Sequence, residues 1–470
     1  MDPRVRGDDD SKTQTQQPPV TYDLLLRGGR VVTDSGVEPL AVGVADGRIV
    51  AIAPEIDGSA REEVDAAGLI IMPGAIDAHV HFNDPGRTDW EGIATGSAAL
   101  AAGGGTCFFD MPLNASPPTL DGPSFDLKRA AAEGQAATDF GLWGGLVPGP
   151  LDRLDELAAR GVVGFKAFMS GSGIADFEAV DDLTLFDGMT RAAALGLPVA
   201  VHAESDTLTA GLAARARAEG RTGVRDYLAC RPVVAELDAI RRAVLFAEET
   251  GCALHVVHVS TGRGVALIAE ARARGVDVTC ETCPHYLVLT EDDMERLGTV
   301  AKCAPPLRCR ADADDLWVRL LGGDVLFVAS DHSPSPPEMK EAPCFFDVWG
   351  GIAGCQSTLS LLLTEAHQQR GVPLAQVADW LSRAPAERFG IADKGRVAVG
   401  YDADLALVDL EEARELRTDD LLYRHRVSPY VGRPIHGLVR RTLVRGRTVV
   451  RDGVPTGERP GRLVRPRARA

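Results

Sequence analysis

The chain has 470 residues, 45% hydrophobic and 5% aromatic, enough for one large core or for a barrel with an accessory domain. A formal net charge of −17 argues against a nucleic-acid binder, because sequence-independent affinity for phosphate backbones is carried by Lys and Arg. No apolar run is long enough to span a bilayer, and nine cysteines without a framework of spacings fit reduced thiols in a cytoplasmic protein.

In chain order, residues 1–20 lack the apolar segment of a secretory signal and read as a disordered lead. Residues 21–73 hold short β-branched runs punctuated by Gly28-Gly29, Ser35-Gly36 and Asp46-Gly47, which are hairpin signals. The same texture returns over 393–456, in "GYDADLALVDL" and "VRRTLVRGRTVVRDGV". Between them, over 74–392, eight strand candidates appear: "AIDAHVHF", "GTCFFDMP", "DFGLWGGL", "VVGFKAFM", "LPVAVHAE", "CALHVVHV", "VDVTCETC" and "VLFVASDH". Helical stretches at 125–137, 151–160, 233–249 and 264–274 fall between them. This alternation predicts an α/β fold, a TIM (β/α)8 barrel, with a small discontinuous β-sandwich domain built from both chain ends. Residues 457–470 form a biased tail.

The first barrel strand carries His79 and His81 two apart, so both side chains leave the same face and can share a metal. An H-x-H pair alone is a weak signal. His202 ends the fifth strand string, His258 the sixth and Asp331 the eighth, while Lys166 ends the fourth. In such barrels functional groups gather at the C-terminal ends of the strands, and six ligand-type residues meeting there exceed coincidence. His255, three before His258, reads as a core or helix-facing residue, and His332 as pointing off the site axis. His285 reads equally as pocket-lining or structural, and Cys280 and Cys283 as packing residues of a strand and its loop.

Lys166 lies in the apolar run "GVVGFKAFM". As an ammonium it cannot ligate a cation, being all donor and of like charge. Burial favours the neutral amine, which reacts with carbon dioxide to give a carbamate. That group can bridge two ions about 3.5–4 Å apart.

The strings "PGAIDAHVHFNDPG", "GFKAFM", "VHAE", "VVHVS" and "SDHSP" resemble the amidohydrolase superfamily, and within it the cyclic amidohydrolases: dihydroorotase, dihydropyrimidinase (hydantoinase) and allantoinase. "HFNDPGRTDWEG", "DMPLNASPPT", "KCAPPLR", "SDHSPSPPEMK", "WGGIAGCQ" and "HRVSPYVGR" are most similar to the allantoinases. The family pattern has Glu and Asn where this chain has Asp84 and Ser205, neither of them a metal ligand there. Asn83 stands where dihydroorotases have a substrate-clamping arginine.

The resemblance implies two divalent ions per subunit, zinc first and cobalt, manganese or iron as alternatives. One would be held by His79, His81 and Asp331, the other by His202 and His258, with carbamylated Lys166 bridging them. It also implies a bridging hydroxide that opens the cyclic amide of (S)-allantoin to allantoate in purine catabolism, with Asp331 as the catalytic proton carrier; hydantoins or dihydropyrimidines are the alternative substrates. Asn114, Ser170, Ala304 and Ser333 are the expected substrate contacts, at Ala304 through the main chain only. The implied partner is a small molecule, with no nucleic acid or membrane, and the implied assembly is a homo-oligomer, tetramer or dimer.

Overall fold

Residues 21–467 are described by a computed structural model; the expected lead, residues 1–20, and the last three residues of the tail lie outside them. Eight strands form the barrel: β1 (Ala75–Val80), β2 (Gly105–Asp110), β3 (Asp139–Leu142, resumed at Gly144–Gly145), β4 (Phe165–Phe168), β5 (Val199–His202), β6 (Leu254–Val256), β7 (Val278–Thr282) and β8 (Phe327–Val328). Each pairs in parallel with the next. The ring closes where the His81 amide donates to the His332 carbonyl at 2.7 Å. Every residue of β2, β3, β5 and β6 is buried, as strands covered on both faces require.

Two departures from the sequence expectation matter. "DFGLWGGL" is not one strand, because pairing passes from β2 to β4 at Trp143. There the indole N–H donates to the Ala78 carbonyl and the amide to the Asp110 carbonyl, each at 3.1 Å. The other strands are shorter than their strings, so His258 and Asp331 lie in the loops beyond β6 and β8, while Lys166 lies within β4.

Two of the expected helices start where a side chain caps them. Asp121 accepts from the Ser124 amide at 2.9 Å and opens Gly122–Ala132; Thr261 accepts from the Gly264 amide at 3.2 Å and opens Gly262–Ala273. Asp152–Arg160 and Val233–Thr250 fill the other two expected places.

The chain ends form two sheets. One holds 21–27, 41–45, 48–53 and 59–65; the other runs from 454–455 through 447–451, 434–444, 405–415, 70–73 and 30–33 to 36–39. They enclose Leu24, Leu26, Val42, Ile71, Leu405 and Leu443. The opposite face of the larger sheet, with Val32, Met72, Ala406 and Val408, joins the barrel core around Leu100 and Phe108. The tail packs back on the barrel, where the Phe140 amide donates to Arg462 and the Val464 amide to Phe140, at 2.9 and 2.7 Å.

Candidate metal centre

His79 Nε2 lies 3.1 Å and His81 Nε2 3.5 Å from Asp331 Oδ1, and ligand atoms of these three residues all lie within 4.8 Å of one another. Next to them His202 Nδ1 and His258 Nε2 are 3.1 Å apart, with the His79 and His258 rings 5.4 Å between centroids. Asp331 and His258 take φ values of +47° and +40°. Such backbone costs about 1–3 kcal/mol per residue and persists only where the surroundings over-determine it. For Asp331 that hold includes Asp77, whose carboxylate accepts from the amides of Ser330 at 3.0 Å and His79 at 3.3 Å.

Two buried carboxylates decide which ring nitrogens face inward. Glu281 Oε1 sits 2.6 Å from His79 Nδ1, leaving Nε2 for the site, and Glu204 Oε2 sits 2.8 Å from His202 Nε2, leaving Nδ1. Arg231 pairs with Glu204 from the outer side. Glu281 reaches on to His255 Nε2 at 3.1 Å, and His255 Nδ1 to Thr279 Oγ1 at 2.9 Å. His255 is therefore a core residue that supports the site rather than a helix-facing one. Of the two readings of His255, core and helix-facing, the core one holds; β6 ends at Val256 and the chain turns at His258.

Burial pushes the His81 imidazole down to about 4 and holds His202 and His258 below their usual range, so these rings are neutral. Burial alone would raise Asp331, yet His79, His81 and His258 hold its carboxyl far below the carboxylate range. At Glu281 burial is likewise overcome, by His79 and His255, and the carboxyl titrates at about 2. Lys166 is fully buried and its Nζ has no hydrogen-bond partner. Burial pushes that amine down to about 8, and it acts electrostatically on His81, His202 and His258. Neutral imidazoles, an ionised carboxylate and an unpartnered amine make a donor set that fits divalent metal. A second carboxylate cluster, Asp139, Asp402 and Asp404, is filled instead by Lys394, whose Nζ lies 2.7, 3.0 and 2.6 Å from them.

Above the centre opens a cavity of about 750 Å3. Asn114, Ala304 and Ser333 line it, and the run Gly171–Ala175 forms one wall. Ser170 lies behind that wall, buried, with its hydroxyl unpartnered. Arg87 ties loops together, donating to the carbonyls of Asn114 and Ala115 at 3.0 and 3.3 Å. Asp84 accepts from the Ile93 amide at 2.7 Å, and Ser205 stands at the start of the helix Asp206–Ala218. His332 turns away to accept from the Gly354 amide at 3.1 Å. His285 is buried against Tyr286 with both ring nitrogens unpartnered. Cys280 and Cys283 are buried thiols.

Sequence reasoning missed Glu281, Glu204 and Asp77. The signal was present: a carboxylate inside an otherwise apolar strand string, the same anomaly that marked Lys166.

An eight-stranded barrel with histidines, an aspartate and a buried lysine at its C-terminal mouth defines a metal-dependent hydrolase. The sequence profile described as "Amidohydrolase family" matches residues 70–449, and the chain belongs to that family. It is 60% identical to "Allantoinase" of Rubrobacter xylanophilus over 95% of this chain and 98% of that one, and 55% identical to "Allantoinase" of Solibacter usitatus over 95% and 97%. Among solved structures, "L-Hydantoinase (Dihydropyrimidinase) from Arthrobacter aurescens" superposes with a TM-score of 0.91 at 35% identity, covering 94% of this chain and all of that one. The chain is thus a metal-dependent cyclic amidohydrolase.

Proposed function

We propose that this enzyme opens the hydantoin ring of (S)-allantoin to give allantoate, at a centre of two divalent ions. The observation that carries the substrate is the 60% identity to an allantoinase along almost the whole of both chains. His79, His81 and Asp331 would hold one ion, His202 and His258 the other, with Lys166 joining them once its amine has become a carbamate. In support, that amine is buried and unpartnered among the other five. Zinc suits the nitrogen and oxygen ligands, and cobalt, manganese or iron are the alternatives. Ions held there supply Lewis acidity, polarising the scissile carbonyl and acidifying the attacking water.

The chain's own groups do the rest. The Asp331 carboxylate, kept ionised by the neighbouring imidazoles, accepts the water proton and returns it to the ring nitrogen as the C–N bond breaks. Glu281 and Glu204 fix the tautomers of His79 and His202. Main-chain groups at Ala304 and Ser333, with Asn114, read the amide edges of the ring, while Ser170, expected as a further contact, stands behind the wall. The assembly would be a homo-oligomer, tetramer or dimer, working in the cytoplasm.

A second reading, hydrolysis of simple hydantoins or dihydropyrimidines, is favoured by the close overlap with the Arthrobacter hydantoinase. Metal-replete enzyme assayed on allantoin, hydantoin, dihydrouracil and dihydroorotate separates the two. Allantoin should exceed each of the others in kcat/KM by about tenfold or more, a difference of about 1.4 kcal/mol. A preference for hydantoin or dihydrouracil would replace the first reading by the second.

A further inference from the structure

The outer wall of the cavity is a stretch with almost no regular structure. Residues 334–351 contain only short turns at Pro337–Lys340 and Phe345–Asp347, yet Met339, Phe346, Val348 and Trp349 line the cavity. Backbone outside a helix or ladder must satisfy its carbonyls elsewhere. Here one side chain takes three of them, as Lys302 Nζ donates to Phe345 at 2.7 Å, Phe346 at 3.2 Å and Val348 at 2.5 Å. The Lys302 carbonyl also accepts from the Gly351 amide at 2.8 Å, so this residue grips both limbs of the segment. Its amine lies 4.7 Å from the centre of the Tyr227 ring, and the Tyr227 hydroxyl donates to the Cys303 carbonyl at 2.9 Å.

We propose that Lys302 is a positioning residue of the substrate site: through the carbonyls of Phe345, Phe346 and Val348 its amine holds residues 334–351 down as the outer wall over the metal centre. The inference rests on reading this cavity as the place of ring opening. Arg217 also reaches Asp347 at 2.6 Å, but between half-exposed groups, and contributes little; Lys340, inside the segment, donates to the Trp349 and Gly351 carbonyls at 3.0 and 2.7 Å and braces it internally without tying it to the barrel. Removing the Lys302 amine instead orphans three carbonyls together, and the least costly relief is for the segment to lift into water. A lifted wall leaves the metal ligands in place and removes substrate contacts.

Lys302→Met keeps the aliphatic bulk and deletes the donors; Lys302→Arg restores donors. Lys302→Met should raise KM for allantoin by about tenfold or more, with a smaller change in kcat and unchanged metal content. In the absence of substrate, limited proteolysis should cut the variant faster within 334–351, and Lys302→Arg should recover part of both effects. Wild-type KM together with wild-type protection in Lys302→Met would overturn the proposal. So would amide exchange at Gly351 of the wild-type protein as fast as in an open loop, a reading independent of whether the variant folds. If wild-type enzyme does not open allantoin, the functional reading fails, while the proteolysis and exchange arms still judge the clamp.

Discussion

A lysine amine with no exposure and no hydrogen-bond partner is a cost unless another chemical form of it is used. At Lys166 burial has already brought the amine down to about 8, so its neutral fraction grows as pH rises through that value. Only the neutral amine reacts with carbon dioxide. At fixed dissolved carbon dioxide, metal-stripped enzyme should therefore regain metal and activity faster as pH rises through about 8, levelling off above it. The direction would be reversed if metal loading were governed by a group that must be protonated. Lys166→Ala should lose metal content and lower kcat by about a thousandfold, in keeping with the several kcal/mol that Lewis acids supply. Short-chain carboxylic acids should restore part of it by standing in for the carbamate. A fully active, fully loaded Lys166→Ala enzyme would exclude the carbamate bridge.

At the level of elements, the site is held by contacts between strands. Glu281 on β7 links His79 on β1 to His255 on β6, so three strands must keep their register for His79 to present Nε2. Glu281→Gln keeps the shape and removes the charge, and metal affinity should fall about 10–100-fold. Competition with a chelator measures this directly, and unchanged affinity would assign Glu281 to packing alone. The alternation of strand and helix strings was enough to locate the eight barrel strands, because a buried parallel strand must read as a short apolar run. What escaped was of two kinds. The supporting carboxylates Glu281, Glu204 and Asp77 were passed over, because they touch other site residues and their role shows only in three-dimensional contacts. The wall at 334–351 has no periodicity to read, since part of what holds it is Lys302, distant in sequence, whose amine reaches three of its main-chain carbonyls.

Over the whole molecule, the barrel, the β-sheets of the chain ends and the tail meet in one buried ion cluster at the end of the barrel opposite the metal centre. Asp139, the first residue of β3, pairs with Lys394 at 2.7 Å and with Arg445, and accepts from the Arg462 amide at 2.8 Å. Lys394 also reaches Asp404 at 2.6 Å and Asp402 at 3.0 Å, and Asp404 accepts from the Arg445 amide at 2.8 Å. Deleting the lysine charge leaves the carboxylates under-compensated in a dry site, which costs about 3–5 kcal/mol. Lys394→Met should thus unfold at lower denaturant or temperature by that amount, while metal content and turnover per folded molecule stay at wild-type values. The pH dependence separates charge from packing. Burial already raises the Asp404 carboxyl, against the pull of Lys394, and the variant removes that pull. A carboxyl raised above its unfolded value stabilises the protein below that value and loses the contribution as pH rises through its folded value. The deficit of Lys394→Met should therefore be largest at neutral and alkaline pH and shrink as the solution is made mildly acidic. A deficit of constant size across that range would mean that Lys394 joins the parts of the molecule by its packing and not by its charge.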